Sequence, residues 1–254
     1  MIIIGRNPIL ETLKHDPKSF KKITILTGTA DKKIIEILRQ ARRYRIIIEY
    51  KNKKEFDGLF LKKDKSEGIS QGIYADTTDF SYADFDKELS EIRKRDSSII
   101  LILDEIQDPH NLGAIIRTAA ATAVDAIIIP EKNSVKVNHT VIKASSGATN
   151  FIDIILLKST TDAIKSLREK GYKILGTSSN SNSTHYDYHF EGHIAIIFGS
   201  EGVGIRKSIM RLCDDLIKIP ITGKIESLNV SVAVGVILYE ILRQKIQKEN
   251  ITYP

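Results

Sequence analysis

From residue 98 onward the apolar positions come in short unbroken runs: "SIILILD" (98–104), "AIIIP" (126–130), "DIILL" (153–157), "YKILGT" (172–177), "HIAIIFG" (193–199) and "LIKIP" (216–220). A strand with one wet face alternates apolar and polar residues. Unbroken runs predict strands covered on both faces, hence a mostly parallel sheet. The segments "NLGAIIRTAAATA", "NHTVIKASSGA", "STTDAIKSLREKG" and "IRKSIMRLC" read as helices between most of these strands, the pattern of a doubly wound α/β domain. Ligands of such sheets sit beyond the carboxyl ends of the strands, so the loops just after strands are the places to search.

The first 76 residues predict a smaller α/β module. "NPILETLKH" reads as a helix with Asn7 as cap and Pro8 in its first turn. "KKITILTG" reads as a strand ending at Gly28. "DKKIIEILRQARRY" reads as a helix with Ile34, Ile35, Leu38 and Ala41 at helical spacing. The strand "RIIIEY", a short lysine-rich helix and the strand "GIYAD" follow. Residues 77–97 lose the apolar β runs and read as a linker carrying a short helix. The expected division is therefore 1–76, linker 77–97, main domain 98–247 and a tail 248–254.

Charge sharpens that division. The net charge of +6 resolves into +7 over residues 1–76, −2 over 77–96 and +1 over the rest. The basic module can attract a polyanion, or it can be a solvated lysine-rich surface. At 42% hydrophobic and 28% charged, the chain has the composition of a soluble globular protein, and no apolar run approaches the roughly 20 residues that span a bilayer. "MIII" is cut short by Gly5 and Arg6 and does not read as a signal peptide, so a cytoplasmic location is expected. The single Cys213 excludes an internal disulfide and reads as a small buried hydrophobe. His185, His189 and His193 are spaced four apart, but Gly192 and the aromatics around them favour an irregular loop, and no metal site is expected.

Three post-strand loops carry more chemistry than connectors need. In "DEIQDPHNLGAIIRTA" (104–119), Asn111 is placed to cap a helix whose Leu112, Ile115, Ile116 and Ala119 line a buried face. Arg117, close to the start of that helix, opposes the helix dipole and suits a phosphate or an oxyanion; a salt bridge to Asp104 or Asp108 is the plain alternative. In "IIFGSEGVGI" (196–205), Gly199, Gly202 and Gly204 allow close backbone approach. Glu201 at the centre disfavours a polyphosphate cradle and suits adenosine or a cationic ligand. In "IPITGKIESLNVSVAVG" (219–235), a helix is expected from about Ser227. Ser227, Asn229 and Ser231 are more polar residues than one cap requires, and Ser231, Ala233 and Gly235 suggest that something packs close.

In order, spacing and context these three stretches resemble the signature motifs of the SpoU branch of the SPOUT RNA ribose 2′-O-methyltransferases, and "KASSGA" (143–148) is similar to a further segment of that family. The basic module, from "GRNPILETL" to "QGIYA", resembles the substrate-binding domain of the RlmB-like members, which methylate a guanosine of 23S ribosomal RNA; Ser70 stands where the family often has His. The resemblance implies S-adenosylmethionine bound in a C-terminal trefoil knot, an RNA substrate and a homodimer. It implies a cofactor pocket of main chain around Gly199, Ile219 and Leu228, with Thr177 a weaker candidate. It places Arg117 at the reacting hydroxyl, with Asn111, Ser227 and Asn229 positioning and Glu201 pairing with Arg117 or orienting RNA. A tRNA ribose methyltransferase, a resistance-type rRNA methylase and a non-catalytic RNA-binding protein remain the alternatives.

Overall fold

The computed structural model describes residues 1–63 and 71–249; Ser70 and the tail from residue 250 lie outside the described residues. The elements run β1 (Ile2–Ile4), α1 (Arg6–His15), β2 (Phe20–Leu26), α2 (Lys32–Arg43), β3 (Ile47–Lys51), α3 (Lys53–Lys63), β4 (Ile73–Thr77) and α4 (Phe85–Ile92). They continue with β5 (Ser98–Asp104), α5 (Pro109–Ala121), β6 (Ala126–Pro130), α6 (His139–Ala144), β7 (Asp153–Leu157), α7 (Thr160–Glu169) and β8 (Lys173–Thr177). The last are β9 (His193–Gly199), α8 (Lys207–Met210), β10 (Asp215–Ile217) and α9 (Val230–Glu249).

Two compact units result. The first joins residues 1–81 to residues 137–150, so "KASSGA" packs with the N-terminal elements. Gly147 shows how closely. At φ +85°, a Cβ on it would sit 2.9 Å from Cβ of Glu11 in α1. This unit's sheet has the order β1-β4-β2-β3, antiparallel except for the parallel pair β2–β3, and "MIII" supplies the edge strand β1.

The second unit, residues 82–136 and 151–254, holds a six-stranded sheet of order β10-β8-β9-β5-β6-β7. Every pair is parallel, as the unbroken apolar runs predict. Leu101, Ile102, Ile127, Ile174, Ile196 and Ile197 are fully or almost fully buried between the helical layers. No described helix is long and apolar enough to cross a membrane.

Helix starts differ from the sequence expectations for physical reasons. α1 begins at Arg6 after Gly5 at φ 96°, so Asn7 lies inside the helix, where its Oδ1 accepts from Lys33 Nζ at 2.6 Å. Asp108, not Asn111, caps α5: its Oδ1 accepts from His110 N at 2.8 Å, and Pro109 is the first helical residue. α9 begins at Val230 rather than Ser227, because Asn229 Oδ1 accepts from Ser231 N at 2.9 Å. In α2 the buried stripe is Ile34, Ile37 and Ala41, with Ile35 turned to solvent.

Candidate active site

The carboxyl ends of β8, β9 and β10 open into a cleft of about 650 Å³, within the about 300–1,000 Å³ of small-molecule sites. Its lining includes Thr177, Gly199, Glu201, Ile219, Ser227, Leu228 and Asn229, so seven of the nine candidate residues converge there. Asn111 and Arg117 are not in the lining. Asn111 is buried and bonded to the cleft, whereas Arg117 is exposed on α5.

The glycine loop is shaped by the chain folding onto itself. Gly204 N donates to Ser200 O at 2.9 Å, and Gly202 and Gly204 take φ of 82° and 70°. A Cβ on Gly199 would lie 1.9 Å from the carbonyl carbon of Gly204. Gly199 is therefore demanded by the loop's own backbone. Thr177 Oγ1 donates to Ile197 O at 3.0 Å, tying the end of β8 to β9 beneath this loop.

One polar network joins all three loops. Asn111 Nδ2 donates to Glu201 Oε1 at 2.9 Å. Asn229 Nδ2 donates to Asn111 Oδ1 at 3.0 Å and also to Glu201 Oε1. Ser231 Oγ donates to Asn229 Oδ1 at 2.6 Å. The network accounts for Asn229 and Ser231 at the front of α9. Asn229 caps the helix through its carbonyl and bridges the other two loops through its amide. Such a network orients groups only while every member is satisfied. Of the small residues expected to allow close approach, Gly235 faces α5, where a Cβ would meet Thr118 Cγ2 at an ordinary 4.0 Å.

Two supports were not anticipated from sequence. Asp104, fully buried at the end of β5, is bonded to Arg206. It accepts from Arg206 Nε at 3.1 and 3.0 Å and from Arg206 N at 3.2 Å, and Glu105 adds a second carboxylate 3.2 Å from that guanidinium. The bond to Asp104 raises the pKa of Arg206 above its ordinary value. An acid ending an apolar strand must find a cation, and that was the available signal. The other support is a strap from the histidine-rich loop. Ser181 Oγ donates to Leu216 O at 2.6 Å, while Lys218 N donates to Ser183 O and His185 N to Lys218 O, each at 2.9 Å. These bonds hold the chain leading to Ile219 against the cleft. Gln244 of α9 pins the same loop, donating to Tyr188 O at 2.9 Å and accepting from Phe190 N at 3.1 Å.

His185 and His189 lie in this irregular loop and His193 opens β9, so no helix aligns them. Among the described residues no three His, Cys, Asp or Glu side chains converge as metal ligands. Cys213 packs against the core cluster of the second unit, and burial pushes its thiol up to about 11, away from reactivity.

The cleft's chemistry fits S-adenosylmethionine. Phe198, Ile219 and Leu228 offer apolar surface to a heteroaromatic ring, and Glu201, Glu226 and Lys218 offer both signs of charge to a zwitterion. Comparisons with known proteins agree. Residues 98–239 match the SpoU rRNA Methylase family, and residues 2–83 match the RNA 2′-O ribose methyltransferase substrate-binding family. The chain is 36% identical over 245 residues to a putative TrmH family tRNA/rRNA methyltransferase of Staphylococcus aureus (strain MSSA476), covering 96% of each chain. The SpoU methyltransferase AviRb from Streptomyces viridochromogenes has a similar fold, with a TM-score of 0.80 at 21% identity over 98% of this chain and 90% of that one. Its complex with the cofactor AdoMet gives 0.79 at 22% identity over 97% and 91%. The chain belongs to the SpoU methylase family, the S-adenosylmethionine-dependent RNA 2′-O-methyltransferases.

Proposed function

We propose that the protein methylates the ribose 2′-hydroxyl of a guanosine in 23S ribosomal RNA, acting as a homodimer. The observation that carries the chemistry is the Asn111–Glu201–Asn229 network, which ties the three post-strand loops at the mouth of the cleft. S-adenosylmethionine, when bound, supplies an electrophilic methyl on a sulfonium centre. The chain's own task is to hold that methyl in line with a ribose oxygen and to stabilise the charge developing on that oxygen.

Arg117 performs the second task. Its exposure on α5, outside the cleft lining, suits a site completed across a twofold, in which the partner protomer's arginine meets this protomer's cleft. Val232 and Tyr239, 50% and 57% exposed on α9, offer apolar surface for that contact. Ser227 and Asn229 line the ribose side, and Glu201 fixes the two asparagine amides. Gly199, Ile219 and Leu228 hold the cofactor with main chain, and the C-terminal segment is threaded as a trefoil knot. The basic N-terminal unit engages the RNA, and its likeness to RlmB-type modules favours 23S rRNA over tRNA.

The test is a map of 2′-O-methylation across all rRNA and tRNA in a strain lacking the gene. Loss of one 2′-O-methylguanosine in 23S rRNA is expected. A lost mark in tRNA instead would refute the ribosomal target, and an unchanged map would refute the activity.

A further inference from the structure

The C-terminal end of α2 concentrates cations that pair with no carboxylate among the described residues. Arg39, Arg42, Arg43 and Arg45 fall within seven residues and are all exposed. Elsewhere Arg6, Arg95, Arg168, Arg206 and Arg243 each pair with a carboxylate. Among the described residues no carboxylate pairs with these four. Arginines in a last helical turn complement the helix dipole, and that accounts for Arg42 and Arg43. It does not account for Arg45, which lies beyond the helix at φ 56°.

The turn there has Arg45 N donating to Arg42 O at 3.1 Å and Ile46 N to Ala41 O at 2.9 Å. Glycine is the favoured residue at such a left-handed position. α7 makes the same turn with Gly171, and α5 makes it with Ala123. A cation is therefore no part of the motif. At this turn the chain accepts backbone strain and presents a guanidinium.

Aromatic and apolar surface lies beside the charge. Tyr44, 41% exposed, has the Arg43 guanidinium over its ring, 5.6 Å from the centroid. Ile47 and Tyr50, 62% and 55% exposed, follow on β3, the edge strand of its sheet. An edge strand carrying large exposed apolar side chains invites aggregation unless a ligand uses it. Positive charge interleaved with exposed aromatic rings is the chemistry that grips single-stranded RNA, with guanidiniums on phosphates and rings under bases.

We infer that the α2–β3 turn, with Arg42, Arg43, Tyr44 and Arg45, is a clamp for an unpaired RNA segment, Tyr44 stacking on a base while the arginines hold the flanking phosphates. This rests on the reading of the protein as an RNA methyltransferase and places one part of its substrate contact.

The test uses the full chain and a fluorescein-labelled single-stranded oligoadenylate of about 20 nucleotides, followed by anisotropy at several salt concentrations. Arg45→Gly should raise the unfolding midpoint by about 2 °C, because the strain is relieved. It should also weaken RNA binding about 3- to 10-fold and lower the magnitude of the salt slope by about 0.7. Tyr44→Ala should weaken RNA binding at least about 5-fold, with Tyr44→Phe restoring it, and should leave inorganic polyphosphate binding unchanged. S-adenosylmethionine binding by calorimetry should be unaltered in every variant.

Wild-type RNA affinity in both Arg45→Gly and Tyr44→Ala overturns the clamp while leaving the enzyme reading intact. Equal losses for polyphosphate and RNA in Tyr44→Ala overturn the stacking role. A wild-type protein that binds neither the oligonucleotide nor S-adenosylmethionine overturns the enzyme reading and the clamp with it.

Discussion

The parallel sheet of the second unit carries a polar cluster at each end, and the two are built differently. At the amino ends of its strands, Ser98 of β5 bonds Tyr172 OH at 2.8 Å and His193 Nδ1 at 2.7 Å. Arg93 bonds His193 Nε2 and donates to Lys170 O at 2.6 Å. Asp125 accepts from Ile99 N at 2.7 Å and pairs with Arg95. These bonds are local to the starts of adjacent strands, and their residues take no part in the lining of the cleft. At the carboxyl ends, Asp104 and Arg206 anchor the glycine loop, and the Asn111–Glu201–Asn229 network borders the cleft. In a parallel sheet the loops leaving the strands can spread apart, whereas the strands' starts are gathered beneath them. One cluster therefore closes the fold, and the other holds side chains for a ligand.

The first prediction concerns Arg117 and carries the largest effect. Arg117→Ala should lower methyl transfer by about 10²- to 10³-fold, measured with labelled S-adenosylmethionine and rRNA, while cofactor affinity stays within about twofold. Near wild-type turnover would remove the charge-stabilising role from α5.

Arg206→Ala comes next, because it strands the fully buried Asp104 without its cation. A loss of about 3 kcal/mol is expected by urea titration, with weaker cofactor binding as the glycine loop loosens. Asn229→Ala should cost about 1 kcal/mol through the lost cap and lower kcat about tenfold with little change in KM. Equal stability loss with unchanged kcat would reduce the carboxyl-end network to structural glue.

The amino end should show the opposite signature. Tyr172→Phe removes a buried hydroxyl partner of Ser98 and should cost about 1 kcal/mol with kcat unchanged; a fall in kcat like that of Asn229→Ala would erase the contrast between the two ends.

His193 gives the smallest effect. Burial first, then Arg93, lower its pKa below the ordinary value. The unfolded chain therefore takes up that proton before the folded one. Stability should be full above about pH 6.5 and decline as the pH falls from there to the folded pKa. Denaturation at pH 7.5 and 5.5 should show the decline, and His193→Gln should flatten it.

How much was legible in the sequence differs between elements and site. The parallel strands were readable because burial on both faces leaves an unbroken apolar run, and β5, β6, β7 and β9 occupy the ranges those runs predict. Leu112, Ile115, Ile116 and Ala119 were readable as a helix face because 3.6-residue periodicity is local. Asn111 was misread as a cap because its partners, Glu201 and Asn229, lie 90 and 118 residues away. Residues 137–150 read as part of the main domain, and only three-dimensional packing grouped them with the N-terminal elements.

The sequence by itself therefore determined the fold class, the three loops that carry chemistry and the family they belong to. Those depend on residue type and on spacing along the chain. Tertiary structure alone decided which polar groups meet: Arg206 with Asp104, Asn229 with both Asn111 and Glu201, and Ser181 with the carbonyl of Leu216. A hydrogen bond acts over about 3 Å, and its partner's place in the sequence carries no information about that distance until the strands have been ordered into a sheet.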